Sequence, residues 1–448
     1  MVDAATVTYE EALAYVQSFP DWERGTATND ETYTLNRMRR LLDTLDHPDR
    51  AYPIVHVVGT KGKGSTAAML ESCLRAAGYR TGLFISPHVV EFRERVQVDG
   101  ALIGTADFAA VVGERLMPAV ARLQQAGERR PLHFELLCAL AFERFRQRRV
   151  EVAVVEAGLG GRLDATNAVA ATALTVVTRI GFDHMAVLGN TLAAIAGEKA
   201  AVVRPGGMVV SAEQHPEAMA VIERVCRERE ARLIVVGRDW TATLLDLQVD
   251  ATAFDLAGST TQYPNLRVGL AGAHQAQNAA AAVAALDALR PLLPRLDDGA
   301  IRQGLAAVRW PGRLQVVTSD PLVLVDAAHN GESAEALAAA LRRLYPGRHF
   351  VLLVAMFGDK DARAFLAHLA PLAGHVVATS VGHPRSLSAA GLAGVARELG
   401  LAVEVAENLA AGLQRARELA QPGGVVVTGS LRTVGETLAI LGMGHGGE

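Results

Sequence analysis

Residues 57–66 read VVGTKGKGST, and this stretch decides the fold class. The apolar run of residues 52–58 leads into it, and the helical pattern of residues 67–77 follows it. A strand, a glycine-rich turn and a helix in this order can hold phosphate, because backbone N–H groups and the positive end of the helix dipole converge on an anion. The usual signature needs a glycine where Val57 stands, so the match is incomplete.

The side chains of this turn fit a nucleoside triphosphate. Lys63 can reach the terminal phosphates, and Ser65 or Thr66 can offer a hydroxyl to phosphate or Mg²⁺. An ordinary glycine-rich turn is the alternative, but glycines on both sides of a lysine, followed by Ser and Thr, disfavour it. We therefore predict an ATP site at this turn.

The length and composition indicate a globular chain with more than one domain. It has 448 residues, of which 50% are hydrophobic and 21% are charged. A net charge of −4 gives no general footprint for nucleic acid, and no apolar stretch is long enough to span a membrane. The three cysteines lie too far apart for a disulfide framework or a metal cluster. The early acidic residues argue against a secretory signal, so we expect a cytoplasmic protein.

The chain alternates between apolar runs and helical patterns. From residue 52 to about 237 this alternation favours a parallel sheet covered by helices, whereas residues 240–270 alternate like an antiparallel ribbon. Pro and Gly within residues 309–313 suggest a link, after which the βα alternation restarts. The predicted fold is α/β, with a P-loop-type parallel-sheet ATPase domain and a small antiparallel ribbon in residues 1–308, and a Rossmann-like α/β domain in residues 309–448. The candidate strands are 54–58, 81–85, 152–156, 173–178, 208–211, 233–236, 322–326, 350–355, 375–380, 402–406 and 425–428.

Polar residues follow several of these strands. Glu156 ends the run VAVVE, which places a carboxylate at the carboxyl edge of the sheet, where ligands bind in open α/β folds. A lone glutamate there is more often a solvated or capping residue, but the adjoining turns GLGGR and LDATN favour a site. Arg162 between them suits an anionic substrate.

Two further strand ends carry candidate ligands. His184 falls just past the run 173–178, so it could share a Mg²⁺ site with Glu156, although a lone histidine is more often a core residue. Asp326 follows the run LVLV and can accept hydrogen bonds from ribose hydroxyls. Lys199 lies on a predicted helix, and the pattern alone favours a surface charge.

Taken together, these motifs resemble the folylpolyglutamate synthase/dihydrofolate synthase family, within the Mur ligase superfamily of ATP-dependent amide ligases. The resemblance runs from about residue 30 to the end of the chain, and the combination of SPH with GLGGRLDATN separates the folate branch from the peptidoglycan ligases. Small departures include Lys61, where many bacterial members have Asn. The motifs that carry the resemblance are VVGTKGKGS, TGLFISPH, ERV, HFE, EAGLGGRLDATN, DH, LGNTLAAIAGEK, HQAQNA, PGR, DAAHN and GSLR.

The resemblance implies roles for particular residues. Lys63, Glu156, His184 and Lys199 would be the catalytic group, and Lys199 would be carbamylated, which reverses its interpretation as a surface charge. Two Mg²⁺ ions are expected, one held by Ser86 and Glu156 and one by His184 with the carbamate of Lys199. The ATP-binding residues would be Thr60, Lys61, Gly62, Lys63, Gly64, Ser65, Asn278, Arg313 and Asp326. The acceptor-binding residues would be His133, Phe134, Glu135, Arg162, Leu163, Asp164 and Ala165.

The implied reaction is the ATP-dependent ligation of L-glutamate to a folate carboxylate through an acyl phosphate. The acceptor would be tetrahydrofolate, dihydropteroate or both, and the resemblance leaves this open. It further implies a monomer that binds small molecules and neither nucleic acid nor membrane. Two alternatives remain at this point: a Mur-type ligase for a UDP-linked precursor, and a nucleotide-binding protein without ligase chemistry.

Overall fold

The computed structural model describes residues 7–21, 34–420 and 423–443. Its first sheet contains the strands β1 Ile54–Val58, β2 Thr81–Phe84, β3 Val96–Val98, β4 Ala101–Leu102, β5 Val152–Glu156, β6 Leu174–Val177, β7 Met208–Ser211 and β8 Arg232–Val235. The strand order is β4-β3-β2-β5-β1-β6-β7-β8, and only the short strands β3 and β4 run antiparallel to their neighbours. Because β5 and β6 flank β1 in parallel, the residues that follow these three strands meet at one edge of the sheet.

Helices cover both faces of this sheet. One apolar core contains Val55 and Val57 of β1, and a second core contains Ile54, as the period-two alternation of a strand requires. The alanine-rich helix that begins at Ala273 packs in the first core. The helices of this part are α1 Tyr9–Gln17, α2 Leu35–Thr44, α3 Lys63–Ala76, α4 Thr105–Ala110, α5 Met117–Gln125, α6 His133–Gln147, α7 Met185–Leu188, α8 Leu192–Ala200, α9 Pro216–Glu228, α10 Ala273–Leu289 and α11 Asp298–Ala307.

Helix α11 touches the backbone of α3 at Gly304. A Cβ atom at this glycine would lie 2.3 Å from the Cα atom of Cys73. Because backbone cannot move aside as a side chain can, we expect Gly304→Ala to lower the free energy of unfolding by about 2–3 kcal/mol. The measurement is urea unfolding of the full chain.

The control for this substitution is Gly394→Ala, in the middle of the helix Ala389–Glu398. Nothing lies within 4 Å of a Cβ atom built there. Alanine has the higher helix propensity, so this variant should be neutral or more stable by up to about 1 kcal/mol. Equal losses of stability in both variants would contradict the packing argument.

The predicted antiparallel ribbon is present. It consists of β9 Trp240–Leu247, β10 Thr252–Gly258 and β11 Gln262–Val268, with β10 in the centre. Phe254, Tyr263 and Leu266 are fully buried and extend the first core onto the ribbon.

A second α/β sheet follows the ribbon and α11. Its strands are β12 Gln315–Ser319, β13 Leu322–Val325, β14 Phe350–Val354, β15 Ala373–Ala378, β16 Val403–Val405 and β17 Val425–Thr428, in the order β12-β13-β17-β14-β15-β16. Only β12 is antiparallel to its neighbour. Its helices are α12 Gly331–Leu344, α13 Ala362–Leu369, α14 Ala389–Glu398, α15 Leu409–Leu419 and α16 Leu431–Ile440. We call this sheet with α12 to α16 the C-terminal unit.

The α/β class predicted from the sequence, with its ribbon and second sheet, is confirmed. No strand was predicted where β3, β4 and β12 form, because these short strands lack a continuous apolar run. In the part of the chain that the structure describes, no helix is both long and apolar enough to cross a membrane.

Candidate active site

The glycine-rich turn between β1 and α3, residues 59–64, forms the phosphate loop. Gly62 caps α3 with a φ of +82°, and a Cβ atom there would lie 2.3 Å from Oδ1 of Asn278. Both the positive φ and the close approach require glycine. The N–H groups in the first turn of α3 have no partner within the helix, so they are available to an anion. A turn of this geometry is suited to binding phosphate, which is the role that the sequence analysis predicts for it.

Lys63 faces a buried carboxylate at the end of β5. Its Nζ atom lies 3.7 Å from Oε1 of Glu156, and the backbone N–H of Ser86 donates to Oε2 of Glu156 over 3.2 Å. Burial raises the pKa of Glu156, and the charge of Lys63 and the N–H of Ser86 act in the opposite direction. A positive group, Lys63, and a negative group, Glu156, therefore face each other beside the phosphate loop.

The donor set around Glu156 fits a Mg²⁺ ion that nucleotide phosphates also bind. Mg²⁺ in nucleotide sites usually takes one or two protein oxygens and completes its shell with phosphate and water. Glu156 offers a carboxylate, and Ser86 beside it carries a hydroxyl. Within the described ranges, no group of three His, Cys, Asp or Glu residues could hold a metal ion by itself. The protein supplies some of the oxygen ligands of such a site, and the nucleotide phosphates and water would supply the others.

Lys199 is buried beneath the phosphate loop. Only 4% of its surface is exposed, and its Nζ atom donates to the carbonyl oxygen of Gly59 over 2.7 Å. Burial, reinforced by the charge of Lys63, lowers the pKa of Lys199 to about 7. The residue is therefore not the surface charge that the helical pattern alone favours. Part of the Lys199 population therefore carries a neutral amine near neutral pH.

The loop after β6 carries His184 and its neighbour Asp183. The side chain of His184 is 55% exposed and precedes α7, whereas Asp183 is mostly buried among positive groups. Burial alone would raise the pKa of Asp183, but a hydrogen bond from His329 and the charges of Lys61 and other cations hold it well below its usual range. Asp183 is thus ionised, and His184 is open to a ligand.

The residues predicted to contact the nucleotide come from three separate elements. Asn278 on α10 lies beside Gly62, and its Nδ2 atom donates to Gln275 over 3.0 Å. Asp326 accepts two backbone hydrogen bonds, one of them from Leu314 over 2.8 Å. Burial raises the pKa of Asp326, and the charge of Arg313 opposes this.

Arg313 itself supports a ligand at this position. Its Nε atom is buried and has no hydrogen-bond partner within the described residues. Such a buried donor is costly unless a ligand or water satisfies it.

The residues of the HFE motif at the start of α6 make different contacts. Nδ1 of His133 lies 2.9 Å from the carbonyl oxygen of Val16, and Glu135 accepts a hydrogen bond from Nε of Arg37 over 2.6 Å. These contacts fix α6 to α1 and α2. The ring of Phe134 lies against Gly158 of the GLGGR turn, where a Cβ atom would be 2.6 Å from the ring.

The GLGGRLDATN loop is shaped by its aspartate. Asp164 is buried and accepts hydrogen bonds from the backbone N–H groups of Leu159 and Thr166, at 2.8 and 3.0 Å. Arg162 forms an exposed ion pair with Glu198 at 3.2 Å, and Leu163 is an exposed apolar residue next to it. Ala165, which is buried, begins the short 3₁₀ helix that follows Asp164.

Asp183, His329 and Lys360 were not among the site residues predicted from the sequence, and Lys360 does not lie in any of the motifs. Lys360 lies in the loop before α13, and its Nζ atom is 3.4 Å from Oδ1 of Asp183. A signal for it was present: the chain contains four lysines and forty arginines. The other three lysines, Lys61, Lys63 and Lys199, all lie in or directly beneath the phosphate loop.

Comparisons with known proteins agree with this geometry. The Mur ligase middle domain family matches residues 57–286, and the Mur ligase glutamate ligase domain family matches residues 312–431. The dihydrofolate synthase/folylpolyglutamate synthase of Bacillus subtilis strain 168 is 36% identical over 79% of this chain and 82% of its own length. The protein of that name from Mycobacterium tuberculosis is 35% identical over 91% of this chain and 90% of its own.

A solved structure extends the likeness to three dimensions. The folylpolyglutamate synthase of Mycobacterium tuberculosis, complexed with ADP and AMPPCP, has a TM-score of 0.86 and 34% identity, and the match covers 97% of this chain and 99% of that one. Sequence, fold and the phosphate loop thus point the same way. The chain belongs to the folylpolyglutamate synthase/dihydrofolate synthase family, ATP-dependent ligases of the Mur ligase superfamily.

Proposed function

We propose that this chain joins L-glutamate to a carboxylate of a reduced folate, and that it uses ATP to activate that carboxylate. The observation that carries the proposal is the pairing of Lys63 with the buried Glu156 at the centre of the phosphate loop, directly above the buried Lys199. A protein that only binds nucleotide has no need of a buried carboxylate and a buried lysine there. The family membership supplies the acceptor and the amino acid.

The chemistry explains why ATP is required. A carboxylate is a poor electrophile because oxide cannot leave from it. Attack of the acceptor carboxylate on the γ-phosphate releases ADP and forms an acyl phosphate, from which phosphate leaves readily. The amine of glutamate then attacks the acyl carbon and loses a proton, and collapse of the tetrahedral intermediate gives the amide and phosphate. Since two anions must approach each other, Lys63 acts by neutralising charge at the phosphate loop.

Glu156 and Ser86 would hold one Mg²⁺, and His184 would hold the second together with a carbamate on Lys199. When bound, the ions would supply positive charge against the phosphate oxygens. The residues of this chain position the nucleotide: the loop amides and Lys63 bind its phosphates, and Arg313 and Asp326 approach from the linker and the C-terminal unit. We propose that ATP lies between residues 1–308 and 309–448, with closure about the link at 309–313 excluding water.

Carbamylation of Lys199 is a separate prediction. Only a neutral amine attacks CO₂, forming an N–C bond and releasing a proton. Since the folded-state pKa of Lys199 is lowered to about 7, the neutral fraction, and with it the carbamate, should increase as the pH rises through about 7. We expect one carbamate resonance in ¹³C NMR of the protein in ¹³C-bicarbonate, stronger at about pH 8 than at about pH 6. Lys360→Arg should keep this signal and Lys199→Arg should lose it; a signal that survives Lys199→Arg would assign the carbamate elsewhere.

An activity assay determines which of the two candidate acceptors the chain uses. Glutamate-dependent ADP release is measured with Mg²⁺-ATP and either dihydropteroate or tetrahydrofolate. Because relatives carry both activities in their names, we expect turnover with both acceptors. Turnover with tetrahydrofolate alone would make the chain a polyglutamylating enzyme only, and no turnover with either would overturn the proposal. A UDP-linked peptidoglycan precursor is the control acceptor, and we expect no turnover with it.

The acceptor site is proposed at Phe134 and the loop from Arg162 to Ala165. Phe134 on α6 and Leu163 provide apolar surface for an aromatic acceptor, and Asp164 holds the loop that carries Leu163. His133 and Glu135 hold α6 in place beneath this surface. The monomeric state, the cytoplasmic location and the lack of nucleic-acid binding stay predictions.

A further inference from the structure

Asp183, on the loop after β6, contacts two lysines that come from opposite sides of the nucleotide site. Its Oδ2 atom lies 3.3 Å from Nζ of Lys61 in the phosphate loop, and its Oδ1 atom lies 3.4 Å from Nζ of Lys360 in the C-terminal unit. The three side chains are 15%, 22% and 20% exposed, in the order Asp183, Lys61, Lys360. Asp183 is largely shielded from solvent and each of its oxygens has a lysine partner, so these ion pairs are screened less than ion pairs on the open surface.

A histidine of the C-terminal unit completes the group. Nε2 of His329 lies 3.4 Å from Nζ of Lys61, and its Nδ1 lies 3.0 Å from the carbonyl oxygen of Ala327. Since a carbonyl can only accept, Nδ1 carries a proton, and Nε2 faces both Lys61 and Oδ2 of Asp183, which lies 4.0 Å away. We call Lys61, Asp183, His329 and Lys360 the Asp183 cluster.

The loop that carries Asp183 is also bonded to the phosphate loop through the backbone. The N–H groups of Thr60 and Lys61 both donate to the carbonyl oxygen of Arg179 over 3.0 Å, and Oγ1 of Thr60 donates to the carbonyl of Gly181 over 3.2 Å. A displacement of Asp183 therefore moves the phosphate loop. Arg179 adds an outer ion pair to Glu332 of the C-terminal unit at 3.4 Å.

The use of lysine in this chain gives an independent reason to treat Lys360 as functional. Forty of the forty-four basic residues are arginine. Of the four lysines, Lys61, Lys63 and Lys199 lie in or beneath the phosphate loop. The fourth, Lys360, contacts Asp183. The ammonium of Lys360 lies 3.4 Å from Oδ1 of Asp183 and 3.3 Å from Oδ2 of the exposed Asp359. A compact ammonium fits between two carboxylates more easily than the wide planar guanidinium does. The position of Lys360 is thus chemically restricted in a chain that otherwise prefers arginine.

We propose that the Asp183 cluster is a latch between the phosphate loop and the C-terminal unit, and that Lys360 is a positioning residue that acts through Asp183. The latch holds the arrangement in which the phosphate loop, Arg313 and Asp326 face the same nucleotide. This inference rests on the proposed function for the identity of the reaction. The coupling of Lys360 to the phosphate loop through Asp183 does not depend on which reaction is catalysed.

The kinetic test compares Lys360→Gln with Lys360→Arg and with a control. Losing the latch lowers the population of the closed form, which reduces the apparent affinity for ATP without altering the assembled site. We expect Lys360→Gln to raise the KM for ATP about tenfold, or about 1.4 kcal/mol, with kcat within about twofold of the unchanged chain. Lys360→Arg should recover only part of the loss, because it keeps the charge but replaces a compact ammonium with a wide guanidinium. A fall in kcat at unchanged KM, or no effect of Lys360→Gln, would overturn the proposal.

The matched control is Arg363→Gln, three residues along the chain. Arg363 pairs with Glu398 within the C-terminal unit, and both side chains are exposed. We expect its kinetics to equal those of the unchanged chain. A rise in KM equal to that of Lys360→Gln would show a general effect of charge on this surface and would also overturn the proposal.

A double-mutant cycle tests whether Lys360 acts through Asp183. In the Asp183→Asn background, Lys360→Gln should add no further rise in KM, whereas additive effects would contradict the latch.

A second measurement needs neither turnover nor the Asp183 variant. Amide hydrogen exchange of residues 358–364 should slow when ADP binds to the unchanged chain, but not when it binds to Lys360→Gln. Slowing in both would overturn the latch. If the chain failed to ligate glutamate and still showed this pattern, the proposed function would fail while the latch stood.

Discussion

Replacement of Lys63 by methionine is expected to lower kcat/KM for glutamate-dependent ADP release by about a thousandfold. Lys63 stands at the first residue of α3, and its ammonium is 3.7 Å from the carboxylate of Glu156. In phosphoryl transfer the protein contributes mainly position and charge, and removal of one preorganised charged donor costs about 10²–10³ in rate. Methionine keeps the unbranched shape and most of the length of the side chain, and removes the ammonium with its charge and its N–H donors.

The assay for this variant is steady-state ADP release, with urea unfolding as a check on the fold. Arg224→Gln is the control, since Arg224 is an exposed residue of α9 that pairs with Glu228 at 2.9 Å. We expect that control to retain full activity. Activity of Lys63→Met within tenfold of the unchanged chain would rule out Lys63 as the group that neutralises the phosphates.

Replacement of Glu156 by glutamine should reduce activity by more than a hundredfold and leave stability almost unchanged. Burial raises the pKa of Glu156, which means that its charged form is costly in the folded protein. Glutamine keeps the size of the side chain and removes that cost, although it also removes the partner of Lys63. These two effects oppose each other, so we expect a change in unfolding free energy below about 1 kcal/mol.

The loss of activity should come with a higher Mg²⁺ requirement, because glutamine is a weaker ligand than a carboxylate. The measurement is a Mg²⁺ titration of ADP release beside urea unfolding of the same variant. A variant that is active at ordinary Mg²⁺ would remove Glu156 from the proposed metal site. A variant that unfolds easily would give it a structural role instead.

The elements could be predicted where apolar runs are bounded by turn residues. The strands at 54–58, 152–156, 208–211 and 425–428 agree with the sequence prediction residue for residue. The short strands β3, β4 and β12 at the margins of the two sheets were missed because none of them has a long apolar run. Turn chemistry and strand periodicity are local, so the sequence shows them directly.

The site was predictable only where a strand end brings a residue to the edge of the sheet. Glu156 and the phosphate loop follow that rule. Lys199 does not, because its burial depends on the loop that covers it, and a helical pattern cannot show this. The contact between Lys360 and Asp183 joins residues 177 positions apart, from two different sheets. Only the scarcity of lysine pointed to Lys360 in advance.

The roles of the remaining site residues were assigned from the family resemblance, and some of these assignments stay predictions. His133 and Glu135 were expected to bind the acceptor, and they hold α6 against α1 and α2 through Val16 and Arg37. They could still shape the acceptor site through Phe134 between them, and kinetics of a Phe134 variant would measure this. Physical reasoning from the sequence could not separate the two roles, because both need buried polar residues at one helix start.

The central claim is that ATP activates a carboxylate which then receives glutamate. The most direct test uses tetrahydrofolate labelled with ¹⁸O in its γ-carboxylate, together with Mg²⁺-ATP and L-glutamate. An acyl phosphate transfers one carboxylate oxygen to phosphate, so the account predicts one ¹⁸O atom in each phosphate released. Phosphate free of ¹⁸O, formed while the glutamate product accumulates, would contradict it.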